Sequence, residues 1–187
     1  KEMTSIPVCM LTNGSLLHLP EVRRDAALAD RVIPSLNAAD EGTFARVCRP
    51  CAACSCAQHM EGLRAFASEY RGELWLEVFV VPGINDSDDS MRRIAALAKE
   101  LVPRKIQLNT AVRPPTEPSV RAARHGELER LAALFTPRAE VAVSFHGVSP
   151  CATARPLDAV RALLERRPCT IADVACGLGI GCEDAEL

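Results

Sequence analysis

Four cysteines crowd into one stretch, Cys48-Arg-Pro-Cys51-Ala-Ala-Cys54-Ser-Cys56, and this is the densest reactive chemistry in the 187 residues. Thiolates are soft ligands. The x2 spacing from Cys48 to Cys51 to Cys54 is that of consecutive thiolates in ferredoxin-type cluster loops, with Cys56 as a fourth candidate across a tight single-residue gap. His59 follows closely enough to join a Cys-rich zinc site instead. The same string without metal is a thiol-rich loop, and the residues alone leave all three readings open. The other cysteines read as structural: Cys9 lies in an apolar run, and Cys169, Cys176 and Cys182 occupy small-residue positions where a free thiol packs as a small hydrophobe.

A second set of candidates lies where apolar runs end in polar residues. These are Thr12-Asn13-Gly14-Ser15, Ser35-Leu36-Asn37, Pro82-Gly83-Ile84-Asn85 and Asn109-Thr110. Asn-Gly is a turn signal on its own, but several polar strand ends on one rim describe a binding site. Glu77 sits inside an otherwise apolar run, so it must be paired or aimed at a site, because a lone buried carboxylate is costly. His18, His125 and His146 are isolated and read as surface or satisfied loop residues. Arg113 precedes two prolines and reads equally as an anion contact or a solvated loop arginine. Arg121, Arg124 and Arg130 are balanced by Glu127 and Glu129, as on a solvated helix face.

The elements that position these residues follow from periodicity. Ile6 to Leu11 is a continuous apolar run, expected as a strand buried on both faces. Pro20 to Ala29 reads as a short helix and Arg31 to Asn37 as a strand, whose Pro34 needs a position that donates no ladder bond. Ala57 to Tyr70 has helical rhythm, Glu73 to Val81 is the strongest strand, and Ser87 to Leu101 is a helix capped by Ser87 or Asp88. Lys105 to Thr110 is a strand, Glu127 to Phe135 a helix, and Glu140 to Phe145 a short strand. This alternation predicts an α/β fold with parallel strands joined by crossovers, a sheet or part of a barrel whose ligand lies at the carboxyl ends of the strands.

After Ser149-Pro150 the pattern changes. Leu157 to Arg167 reads as a helix, and Pro168-Cys169-Thr170 opens another, with Thr170 and Asp173 approximating a capping box. Residues 149–187 therefore read as the front of a helix-turn-helix or winged-helix module that stops at Leu187 before a recognition helix is complete.

Twenty-two Lys and Arg against 24 Asp and Glu give a net charge of −2, which argues against a nucleic-acid binder held by phosphate neutralisation. No apolar run approaches the roughly 20 residues of a membrane span, and the opening Lys1-Glu-Met-Thr-Ser lacks the basic and apolar regions of a signal peptide. A cytosolic location with reduced thiols is expected, and the first residues look like the interior of a longer protein.

Four strings together, Leu11-Thr-Asn-Gly-Ser-Leu-Leu, Asp30-Arg-Val-Ile-Pro-Ser-Leu-Asn-Ala, Leu76-Glu-Val-Phe-Val-Val-Pro-Gly-Ile-Asn-Asp-Ser and Gln107-Leu-Asn-Thr-Ala-Val-Arg-Pro-Pro, resemble the radical S-adenosylmethionine (radical SAM) iron–sulfur oxidoreductases, in the branch related to wyosine synthesis. The likeness covers residues 5 to 145. It implies that residues 1–148 are the later half of a partial (β/α)6 TIM-like barrel, with residues 149–187 as a small winged-helix-like tail. It implies a 4Fe-4S cluster held by C-x3-C-x2-C, SAM on the open iron, reductive cleavage of SAM to a 5′-deoxyadenosyl radical, an electron donor such as flavodoxin or ferredoxin, and a small-molecule or RNA substrate. By the same likeness, Asn13 and Ser15 lie beside SAM, Ser35 and Asn37 face its ribose, and Glu77, Gln107 and Asn109 belong to the last two strands of the site. The chain departs from the family in carrying no C-x3-C-x2-C and no Gly-Glu string for the methionine amine, both of which would precede Lys1. The alternative is a non-catalytic remnant, with metal on the Cys48–Cys56 loop and a tail that contacts a partner or DNA.

Overall fold

The computed structural model describes residues 5–111, 117, 120–142, 160–161, 164 and 169–178. The chain forms two compact units, residues 1–110 with 121–142, and residues 111–120 with 143–187. In chain order the first unit contains β1 (Cys9–Thr12), α1 (Pro20–Ala26), β2 (Arg31–Pro34), α2 (Glu41–Cys48), α3 (Cys56–Glu69), β3 (Glu73–Val80), α4 (Asp88–Glu100), β4 (Lys105–Thr110), α5 (His125–Ala132) and β5 (Glu140–Val141). The described helix of the second unit is α6 (Ile171–Leu178). There Thr170 and Asp173 form the expected capping box, with Asp173 N–H donating to Thr170 Oγ1 at 3.1 Å and Thr170 N–H to Asp173 Oδ2 at 2.9 Å. Most of the helix expected from Leu157 to Arg167, together with Arg113, His146 and the end of the strand expected to Phe145, lies outside the described residues.

All five strands are parallel and stand in the order β1-β2-β3-β4-β5. The α/β fold expected from the alternation is present. An order that never reverses distinguishes this sheet from doubly wound folds, and with right-handed crossovers it sends every helix to the same face, as in a barrel wall. Burial shows this division. Leu74, Leu76, Val78 and Val80 of β3 and Ile106 and Leu108 of β4 are buried in one core with Leu63 and Phe66 of α3, Met91 and Ile94 of α4, and Leu131 of α5. The alternate residues Glu73, Trp75, Glu77 and Phe79, with Lys105, Gln107 and Asn109, face the other way and are only half buried.

Proline 34 leaves its mark on the ladder. β2 pairs Arg31 with Glu73 and Val32 with Leu74, and pairing resumes only at a bridge between Ser35 and Glu77. Pro34 has no N–H to donate between those points. Ser87, rather than Asp88, caps α4, its hydroxyl accepting from Ser90 N–H at 3.2 Å. Helix α2 was not foreseen. Its signal is Asp40, whose carboxylate accepts from Thr43 N–H at 2.8 Å and Thr43 Oγ1 at 3.0 Å, with Phe44 buried behind it.

The first strand corrects an expectation. It was expected to be buried on both faces from Ile6, but it starts at Cys9 and alternates exposed and half-buried residues. Cys9 is exposed and packs in no core. The physical reason is position: β1 is hydrogen-bonded to β2 on one side only. Ile6, Leu11 and Leu28 are 72, 70 and 71% exposed, and a groove of about 710 Å³ runs beside the strand between Val8–Leu11 and Leu28. An apolar edge with unpaired backbone groups is a template for association. The chain on its own is therefore expected to self-associate in sedimentation velocity at micromolar concentration, and Leu11→Lys with Leu28→Lys should return it to a monomer. A clean monomer of the unaltered chain would contradict this.

Candidate functional site

The carboxyl ends of β1 and β2 open into a cleft of about 440 Å³ lined by Asn13, Ser15, Ser35 and Asn37 together with Phe44, Cys48, the cationic Arg49, Cys51, Cys54 and His59. Both sets of residues singled out in the sequence thus meet in one place. Glu77 is Ser35's neighbour across the ladder, and its Oε1 accepts from Asn109 Nδ2 at 3.1 Å on the half-buried face.

The polar side chains divide into those that hold the backbone and those left for a ligand. Asn37 belongs mainly to the first group. Its Oδ1 accepts from Phe79 N–H at 2.8 Å, and its carbonyl accepts from Asn85 Nδ2 at 3.0 Å. Asn85, fully buried, also donates to Phe79 O at 2.8 Å and accepts from Val81 N–H at 2.7 Å, so one side chain staples the ends of β2 and β3. The sequence placed Asn85 in a polar turn; that it is buried and bridging needs the fold. Asn13 forms an Asx turn, its Oδ1 accepting from Ser15 N–H at 3.1 Å and Ser15 Oγ at 2.9 Å. Its Nδ2 has no protein partner among the described residues.

His59 is the residue that sequence reasoning missed, having considered it only as a zinc partner. It is 4% exposed, on α3, with Nε2 3.1 Å from the Ser35 carbonyl, so Nε2 carries the proton. Burial lowers its pKa, partly opposed by the Ser35 and Gly14 backbones, and the ring is neutral at pH 7. Gly14 lies against the ring with φ +73°, and a Cβ there would come within 3.0 Å of His59 Cε1. The helix and the two strand-end turns are fitted to one another at this point, which explains why the Asn-Gly turn needs glycine.

The cysteines are thiols. Burial pushes Cys48 and Cys54 up, and Cys56, buried and close to Glu41, is pushed up to about 11. Cys56 N–H also donates to Glu41 Oε2 at 2.9 Å. A metal would have to displace a proton from each. Among the described residues no three His, Cys, Asp or Glu side chains stand close enough to share a metal ion. The described residues do not fit an iron–sulfur cluster in this arrangement.

No protein-family profile matches the chain. Among solved structures, a radical SAM methyltransferase from Sphaerobacter thermophilus superposes with a TM-score of 0.60 at 19% identity, over 73% of this chain and 40% of that one. A domain of the pyruvate-formate lyase-activating enzyme from Bacteroides vulgatus superposes with a TM-score of 0.58 at 13% identity, over 76% of this chain and 84% of that domain. The chain shares the fold of these two proteins. In sequence, the chain is 36% identical over 149 residues to a GTPase Obg of Brachyspira hyodysenteriae and 32% identical over 130 residues to a UPF0026 protein of Methanocaldococcus jannaschii. Those matches take in 80% and 70% of this chain, which spans 22% and 40% of those relatives.

Two measurements check the local geometry. Gly14→Ala should destabilise the chain by about 1–2 kcal/mol in urea unfolding, the order of the left-handed penalty, and His59→Ala in the same background should relieve part of it. Alkylation should reach exposed Cys9 and Cys51 first and Cys56 last. Because the thiolate is the nucleophile, the Cys56 rate should keep rising to about pH 11.

Proposed function

We propose that this chain is the adenosyl-binding part of the barrel in a radical SAM iron–sulfur enzyme. The observation that supports this most is that Asn13, Ser15 and Ser35, on the carboxyl ends of consecutive parallel strands, line one cleft of nucleoside size. Ligands of such sheets lie at those ends. Cleavage of SAM by one-electron reduction would supply a 5′-deoxyadenosyl radical.

The chain's own residues bind and orient. Ser35 and Ser15 offer hydroxyls and Asn13 an amide donor to the polar edges of the nucleoside, while Asn37, Asn85 and His59 fix the backbone that carries them. Pre-fixed donors avoid ordering costs at binding. The cluster ligands, the substrate and the wyosine-related branch enter this proposal through the resemblance. A small electron-transfer protein of the flavodoxin or ferredoxin type would supply the electron. The free thiols of Cys9, Cys48, Cys51, Cys54 and Cys56 suit a reducing, cytoplasmic setting. These 187 residues contain no Gly-x4-Gly-Lys-Ser/Thr string, so the likeness to the GTPase brings no phosphate-binding loop with it.

The test is anaerobic incubation of the full-length, cluster-reconstituted protein with SAM and a strong reductant. 5′-Deoxyadenosine is expected, and its absence would overturn the reading. Ser35→Ala and Asn13→Ala should each raise the Kd for SAM up to about tenfold, the loss of one hydrogen bond of about 1.4 kcal/mol.

A further inference from the structure

The half-buried face of the sheet carries three carboxylates. Glu73 is neutralised by Arg31 at 2.5 Å and Arg104 at 3.4 Å, and Glu140 by Lys105 at 2.5 Å. Arg31 and Lys105 also cover Trp75, 3.9 and 4.6 Å from its ring centre, so the amino-terminal half of this face is internally compensated. Glu77 is different. It has no cationic partner among the described residues, only the neutral amide of Asn109.

That amide is held in one orientation, because Asn109 Oδ1 accepts from Thr110 N–H at 2.9 Å and Nδ2 must then face Glu77. The carboxylate is thus positioned, with Oε2 unengaged among the described residues, one strand away from Ser35 and on the same face. Phe79 follows on that face two residues on. A half-buried charge that the protein positions but does not neutralise is incomplete until a counter-charge arrives.

We infer that Glu77, the ladder neighbour of Ser35 at the edge of this cleft, receives the positive charge of a ligand that reaches past Ser35, which makes the site selective for a cationic ligand, an adenosyl sulfonium, over the neutral thioether of the same shape. Asn109 is a positioning residue for that carboxylate. The sulfonium assignment rests on the proposed function; the cation site itself rests on the placement of Glu77 and Asn109.

Equilibrium binding of SAM and of S-adenosylhomocysteine to the full-length protein tests the first part. The unaltered protein should prefer SAM by about tenfold or more. Glu77→Gln should weaken SAM by about tenfold and leave S-adenosylhomocysteine within about twofold, while Glu77→Asp, which keeps the charge, should retain the preference. Equal losses for both ligands, or none, would overturn the inference. Trimethylsulfonium chloride alone tests the cation site without an adenosyl group, through the side-chain amide NMR signals of Asn109, identified by their loss in Asn109→Ser. They should shift in the unaltered protein and in Glu77→Asp but not in Glu77→Gln. No shift in the unaltered protein would overturn the inference. If Asn109 responds to trimethylsulfonium while neither adenosyl compound binds, the cation site stands and the adenosyl reading falls.

Discussion

An unbroken parallel order, each strand beside its predecessor in the chain, is the constraint from which the rest of the first unit follows. Such an order has no reversal point, so right-handed crossovers stack the helices of this unit on one face and leave the other, on β3 and β4, to polar and aromatic residues. It also turns all five strands the same way, so their last residues, and the turns after them, share a rim. An antiparallel neighbour would have sent the polar turn of one strand to the opposite end. The exposed edge at β1 has the same origin, since a wall that curves in one sense without closing keeps a first strand with one neighbour.

On that rim, most polar side chains spend their hydrogen bonds on the protein. Asn85 and Asn37 tie the ends of β2 and β3, and His59 reaches from α3 to the turns after β1 and β2. The unfilled positions among the described residues are correspondingly specific: the amide nitrogen of Asn13, the Ser35 hydroxyl, and the carboxylate of Glu77, which has no cationic partner there. Burial raises the pKa of the Cys48 and Cys54 thiols in the same cleft, which favours them as wall rather than as nucleophiles in the resting chain.

The strand and helix sequence was legible because β3, β4, α3 and α4 have clear periodicities, backed at α4 by the cap at Ser87. Asn13, Ser15, Ser35 and Asn37 could be picked out because polar residues closing apolar runs carry a local signal. Three features carry none. An apolar run such as Ile6–Leu11 reads alike whether it is central or at an edge, because burial depends on neighbours the run does not encode. His59 and Asn85 look like ordinary helix and turn residues until the fold buries them. Glu77 was read as either paired or aimed at a site; that its carboxylate meets the amide of Asn109, from the next strand, is a matter of register.

The central claim is that the strand ends form a nucleoside site, and backbone amide mapping with SAM on the isotopically labelled protein tests it most directly. The account predicts that the perturbed amides concentrate at 13–15, 35–37 and 77–79. Perturbations concentrated at the opposite ends of the strands, in the groove between Tyr70, Glu100 and Arg104, or spread without a centre, would contradict it.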